Sequence, residues 1–166
     1  MGHGTGYSNA IPRPIRVLHV DDEPTDLEIT RVFLRKGGKD DFEISSALSA
    51  EEALEKLESE DFDVVISDYK MPRMDGIEFL EAVRKSRKHA HIPFILFTGK
   101  GGAEVAKEAL NKGADRYYSK AGNPATQCNE LARAIRELAK GKMAEEELLE
   151  SDKKLSLSVF KQRLVL

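Results

Sequence analysis

Near its start the chain reads Ile15-Arg16-Val17-Leu18-His19-Val20-Asp21-Asp22-Glu23-Pro24. A β-branched apolar run ends on two adjacent carboxylates, and a proline follows where a first helical turn tolerates one. The pattern returns at Val64-Val65-Ile66-Ser67-Asp68, again a short apolar run that stops on acid. Short runs of continuous apolar residues suit strands of a parallel sheet covered on both faces. If these two are neighbours, their carboxyl ends meet at one edge, where open α/β sheets bind ligands. Asp21, Asp22 and Asp68 would then crowd one pocket. Like charges that close do not all stay ionised without a cation, and hard oxygen donors suit Mg²⁺. The residues therefore predict a divalent-metal site whose second partner is a phosphoryl group.

Outward from these two stretches, apolar runs alternate with helix-periodic ones five times. Strands are predicted over 15–20, 42–47, 64–67, 94–97 and 116–119, and helices over 25–36, 50–59, 77–85, 103–111 and about 125–140. Ser49-Ala50-Glu51-Glu52 and Asp75-Gly76-Ile77-Glu78 read as capping boxes, and Gly37-Gly38 and Gly113 as helix stops. The last helix should bury Leu131, Ile135 and Leu138. Such alternation predicts an α/β fold, a doubly wound parallel sheet with right-handed crossovers.

The 166 residues suffice for one domain and a tail. Residues 1–14 are Gly-rich and polar, lack an apolar core of the signal-peptide kind, and are expected to form a disordered lead. Residues 15–140 form the domain. From Gly141 the composition becomes charged and helix-prone, so 141–166 reads as a helical tail or linker, with Leu148, Leu155 and Val159 on one side. Its apolar end, Leu164-Val165-Leu166, suggests truncation or docking on a partner, and pairing of two chains is one way to cover it. A net charge of −3 argues against a nucleic-acid footprint. No apolar run approaches the ~20 residues of a membrane span. The single cysteine, Cys128, allows no internal disulfide and fits a reducing, cytoplasmic setting.

Further polar groups fall on the same sheet edge. Met71-Pro72-Arg73-Met74-Asp75-Gly76 follows Asp68, Thr98 ends the fourth strand before Gly99, and Lys120 ends the fifth, three residues after Tyr117. Asp-Asp, Asp, Thr and Lys in this order, with Met-Pro-x-Met-Asp-Gly, resemble the receiver domain of two-component response regulators over roughly residues 15–140.

The resemblance implies a flavodoxin-like five-stranded sheet of order 2-1-3-4-5 with five helices, extended here by the helical tail. It implies a domain that catalyses its own phosphorylation and dephosphorylation. A sensor histidine kinase or phosphotransfer protein would be its partner. Asp68 would be the nucleophile that takes the phosphoryl group from a phosphohistidine. Asp21, Asp22, Asp68 and the backbone carbonyl of Lys70 would hold Mg²⁺, and Lys120 would pair with a phosphoryl oxygen. Three carboxylates, Mg²⁺ and Lys120 then balance in charge, as phosphoryl transfer by positioning and neutralisation requires. Thr98 and Tyr117 would form the switch, altering the face made by the fourth helix, fifth strand and fifth helix. Family members carry Lys-Pro after the fifth strand; here Lys120-Ala121-Gly122-Asn123-Pro124 displaces the proline, which predicts a rebuilt loop.

Two other readings compete. A phosphatase of the haloacid-dehalogenase type also forms an aspartyl phosphate, but it needs an acid two residues after the nucleophile, where Lys70 stands. A degenerate receiver serving only as an interaction module would not need every site position filled. Elsewhere plain roles are expected: His19 as a satisfied core residue, His89 and His91 as solvated loop residues, Cys128 as packing, and the Glu-rich run 145–150 as a solvated helix face.

Overall fold

The structure, a computed structural model, describes residues 13–38 and 40–164. The lead over residues 1–12 and the last two residues of the apolar end, Val165 and Leu166, lie outside the described residues. The elements run β1 (Ile15–Val20), α1 (Pro24–Lys36), β2 (Phe42–Ala47), α2 (Ala50–Ser59), β3 (Val64–Ser67), α3 (Gly76–Lys85), β4 (Phe94–Thr98), α4 (Ala103–Asn111), β5 (Arg116–Ser119) and α5 (Pro124–Leu164). All strands pair in parallel, in the order β2-β1-β3-β4-β5. The predicted α/β architecture and strand order are those observed.

Strand alternation divides the core into two layers. Leu18, Val20, Val65 and Leu96 pack with Leu57 of α2, Phe79 and Leu80 of α3 and Ala109 of α4. Ile15, Val17, Ile66 and Ile95 pack with Leu34 of α1 and Leu131 and Ile135 of α5. The helices thus lie two on one face and three on the other, which leaves the strand ends free to carry polar groups. Phe79 and Phe94 meet at a centroid separation of 5.6 Å.

Local chemistry sets the helix ends. Asp75 and Glu78 form a full capping box at α3. At α2 only half of the expected box forms: Ser49 accepts from the Glu52 nitrogen, while the Glu52 carboxylate accepts from the Leu48 nitrogen one residue further out. Gly113, at φ +110°, takes the left-handed position after α4, whereas Gly37 closes α1 right-handed.

Helix α5 runs 41 residues, about 60 Å at 1.5 Å per residue. The composition shift at Gly141 coincides with the end of burial, not of the helix: Ala139 is buried, while Leu148, Leu155 and Val159 are exposed. Leu131 and Ile135 are buried as expected, and Leu138 is partly buried. The Lys142 ammonium donates to the Phe62 carbonyl at 3.1 Å, fastening the helix just past its buried part. Arg13 is fastened at the same end, with 2.7 and 2.9 Å bonds to Asp63.

Candidate phosphoryl-transfer site at the carboxyl edge of the sheet

The strand register brings the site together. Val20 of β1 is level with Ala47 and Ser67, and Ser67 with Leu96, so the residues after β1 and β3 emerge side by side. The Asp68 nitrogen donates to the Val20 carbonyl at 2.9 Å, and the Asp21 nitrogen to the Ala47 carbonyl at 3.1 Å. One oxygen each from Asp21, Asp22 and Asp68 lie within 4.8 Å of one another. That is a set of hard oxygen donors able to hold a metal ion.

β5 ends level with β4, and the Lys120 nitrogen donates to the Thr98 carbonyl at 3.0 Å. The Lys120 side chain reaches across the edge to Asp21 Oδ2 at 2.5 Å and Asp26 Oδ2 at 3.2 Å, with Asp68 Oδ1 at 3.9 Å. The displaced proline does not prevent this. Gly122 turns the rebuilt loop at φ +102°, Asn123 caps α5 by accepting from the Ala125 nitrogen, and Gln127 donates to the Ala121 carbonyl.

Electrostatics follow from burial. The Asp21 carboxyl is pushed up to about 6, chiefly because it is buried and secondarily by the charge of Asp68; Lys120 and the Glu23 nitrogen pull it the other way. For Lys120, burial lowers the pKa, but the bond to Asp21 and the charges of Asp21, Asp68 and Asp26 outweigh it and leave it raised. The ammonium therefore stays charged while the buried carboxylate beside it resists ionisation, as an acid short of cations should.

Gly76 follows from close approach. A β-carbon there would stand 2.1 Å from the Asp68 carbonyl oxygen, so only glycine lets α3 start this close to the end of β3. Arg73 takes φ +69°, a conformation that costs a side-chain-bearing residue about 1 kcal/mol or more. The Met74 nitrogen bonding Pro72 and the Gly76 nitrogen bonding Tyr69 hold it there.

Thr98 is buried, and its hydroxyl donates to the Lys100 carbonyl at 3.3 Å while accepting from the Lys100 nitrogen at 3.1 Å. Tyr117 lies on the same sheet face as Leu96 and packs with the α2–α4 layer, whereas Tyr118 packs with the α1–α5 layer. A β-carbon on Gly101 would stand 3.0 Å from the Tyr117 hydroxyl and 3.4 Å from Thr98 Cγ2, so the two side chains converge on that glycine. Lys70, exposed, lies two residues beyond Asp68.

The family model of the response regulator receiver domain matches residues 17–136. The chain belongs to this family. It is 34% identical over 125 residues to response regulator Rre1 of Synechocystis sp., spanning 75% of this chain and about half, 52%, of that protein. Over 112 residues it is 34% identical to the probable chemotaxis protein CheY of Rhizobium etli, spanning 67% of this chain and 84% of that one. The crystal structure of a CheY-like receiver domain protein from Methanospirillum hungatei superposes with a TM-score of 0.65 at 34% identity, covering 77% of this chain and 98% of the other. This is a receiver domain of the two-component response regulator kind.

Within the receiver, Asp26 escaped the sequence reading. The available signal was position: in a first helical turn a side chain leans back toward the N-terminus, here toward Asp21. Two plain roles also need correction. His19 is fully buried but not satisfied; neither ring nitrogen has a partner among the described residues, and burial, with Lys120 and Arg31, drives its pKa down to about 3. His89 is half-buried, with Nε2 at 2.5 Å from the Leu57 carbonyl oxygen, because the α3–β4 loop folds back over the end of α2. Cys128 is buried packing. No described helix is long and apolar enough to cross a membrane.

Proposed function

We propose that Asp68 is the phosphoacceptor of this receiver. One observation carries the reading: Asp68 shares a single cluster with the Asp21 and Asp22 carboxylates and faces the Lys120 ammonium. A carboxylate oxygen of Asp68 attacks the phosphorus of a phosphohistidine on a histidine kinase or phosphotransfer protein. The P–O bond forms as the P–N bond breaks, and the electron pair leaves with the imidazole, which takes up a proton. Asp21 and Asp22 would hold Mg²⁺ together with Asp68 and the Lys70 carbonyl, and the bound ion would supply charge neutralisation at the phosphoryl oxygens. Lys120 supplies a point charge to the same oxygens. Water attack on the same phosphorus, breaking the P–O bond to Asp68 and releasing inorganic phosphate with the carboxylate restored, makes the domain catalyse its own dephosphorylation, a signalling device rather than a metabolic enzyme. A cytoplasmic setting fits a phosphohistidine donor.

Output runs through Thr98 and Tyr117. The Thr98 hydroxyl exchanges its bond to Lys100 for a phosphoryl oxygen, and Tyr117 moves inward past Gly101, changing the α4–β5–α5 face. The exposed Leu148, Leu155 and Val159 of α5 support relay by pairing of two chains. The test is labelling with acetyl phosphate and Mg²⁺, read by intact mass. The wild type takes up one acid-labile phosphoryl group and Asp68→Asn none; full labelling of that variant overturns the reading.

A further inference from the structure

We propose that Asp26 is a positioning residue that holds the Lys120 ammonium away from Asp68 and thereby slows acceptance of the phosphoryl group. The proposal rests on the reading of Asp68 as phosphoacceptor.

An ammonium has three protons to place. At Lys120 one goes to Asp21 at 2.5 Å and another to Asp26 at 3.2 Å, whereas the 3.9 Å to Asp68 exceeds hydrogen-bond range. Both bonds made by the side chain that should meet the incoming group therefore go to other carboxylates. Asp21 is wholly buried at the strand end, and its place is dictated by the backbone. Asp26 differs: it comes from the first turn of α1, its side chain is 42% exposed, and Lys120 is its only ion-pair partner among the described residues.

Charge counting points the same way. Asp21, Asp22 and Asp68 are balanced by one divalent cation and Lys120; Asp26 is a fourth carboxylate within reach of the same ammonium. It leaves these groups one negative charge in excess before an anionic donor arrives, and that charge is paired with the Lys120 ammonium. The plain alternative is that Asp26 merely favours the positive end of the α1 dipole. That role would put no restraint on the Lys120 ammonium and would leave its resonance unmoved when the charge is removed.

The test compares Asp26→Asn with Glu23→Gln, which removes an exposed carboxylate next to Asp22 in the sequence that makes no ion pair with Lys120 among the described residues. Each loses one charge at the same helix start. Three quantities are measured with Mg²⁺: the acetyl phosphate labelling rate, beryllofluoride affinity by ¹⁹F NMR, and the ¹⁵N resonance of the Lys120 ammonium, assigned by its loss in Lys120→Met. Asp26→Asn should raise both rate and affinity at least threefold and shift the ammonium resonance, while Glu23→Gln does neither. The proposal is overturned by an unchanged or slower Asp26→Asn, by an equal gain in Glu23→Gln, or by a gain with the ammonium resonance unmoved. Asp68→Asn is carried alongside: labelling of that variant refutes the phosphoacceptor reading separately, and the ammonium resonance still reports whether Asp26 restrains Lys120.

Discussion

The backbone carbonyl of Asp68 lies directly beneath Gly76, so close that a β-carbon on Gly76 would stand 2.1 Å from its oxygen. The start of α3 and the end of β3 are thus wedged together, and the orientation of the proposed acceptor depends on a missing methyl group. Gly76→Ala should destabilise the domain by about 1–3 kcal/mol, as forced overpacking does. Urea unfolding at pH 7 measures it; a loss below experimental error would mean the loop yields freely.

Asp63 supplies a pH signature at the opposite edge of the sheet. Although buried, it is held below the usual carboxylate range by Arg13 and the Arg16 nitrogen, with Lys142 contributing. A lowered folded pKa means stability present above the unfolded value of about 3.9 and lost as pH falls through the folded value. Asp63→Asn should therefore cost about 1–3 kcal/mol at pH 7, with the gap to wild type shrinking below pH 4. Paired denaturant titrations at pH 7 and pH 3 check this, and an equal gap at both would contradict the assignment.

His19 carries two buried ring nitrogens without partners among the described residues. An apolar side chain of similar volume removes that desolvation penalty. His19→Leu should stabilise the metal-free protein by about 1–3 kcal/mol. Calorimetry is the measurement; destabilisation would show that the ring makes a bond that these contacts do not account for.

Mg²⁺ should raise the melting temperature of the wild type by relieving repulsion within the Asp21, Asp22 and Asp68 cluster. At tenfold excess over Kd the gain is about 1.4 kcal/mol. Asp22→Ala should lose most of that shift and, without metal, be at least as stable as wild type. A thermal series in which both proteins respond alike to Mg²⁺ counts against the site.

Local pattern was enough to place the elements, apart from the end of α5. The apolar runs that stop on acid are β1 and β3, and the Asp75 capping box and left-handed Gly113 bound their helices as short-range chemistry requires. The convergence of Asp21, Asp22, Asp68, Thr98 and Lys120 was also legible, because in a parallel sheet the residues at or just past the strand ends reach the same edge. Tertiary structure alone decided how those groups share charge. Lys120 chooses among three carboxylates 52, 94 and 99 positions away in the chain, and the distances between them come from strand register and the tilt of α1. Burial of His19 without a partner is likewise a property of the packed layer between α1 and α5, not of the strand that carries it. Helix α5 passes Gly141 unbroken because propensity on either side and the Lys142 bond to Phe62 outweigh one glycine, a balance of about 1 kcal/mol that composition by itself leaves open.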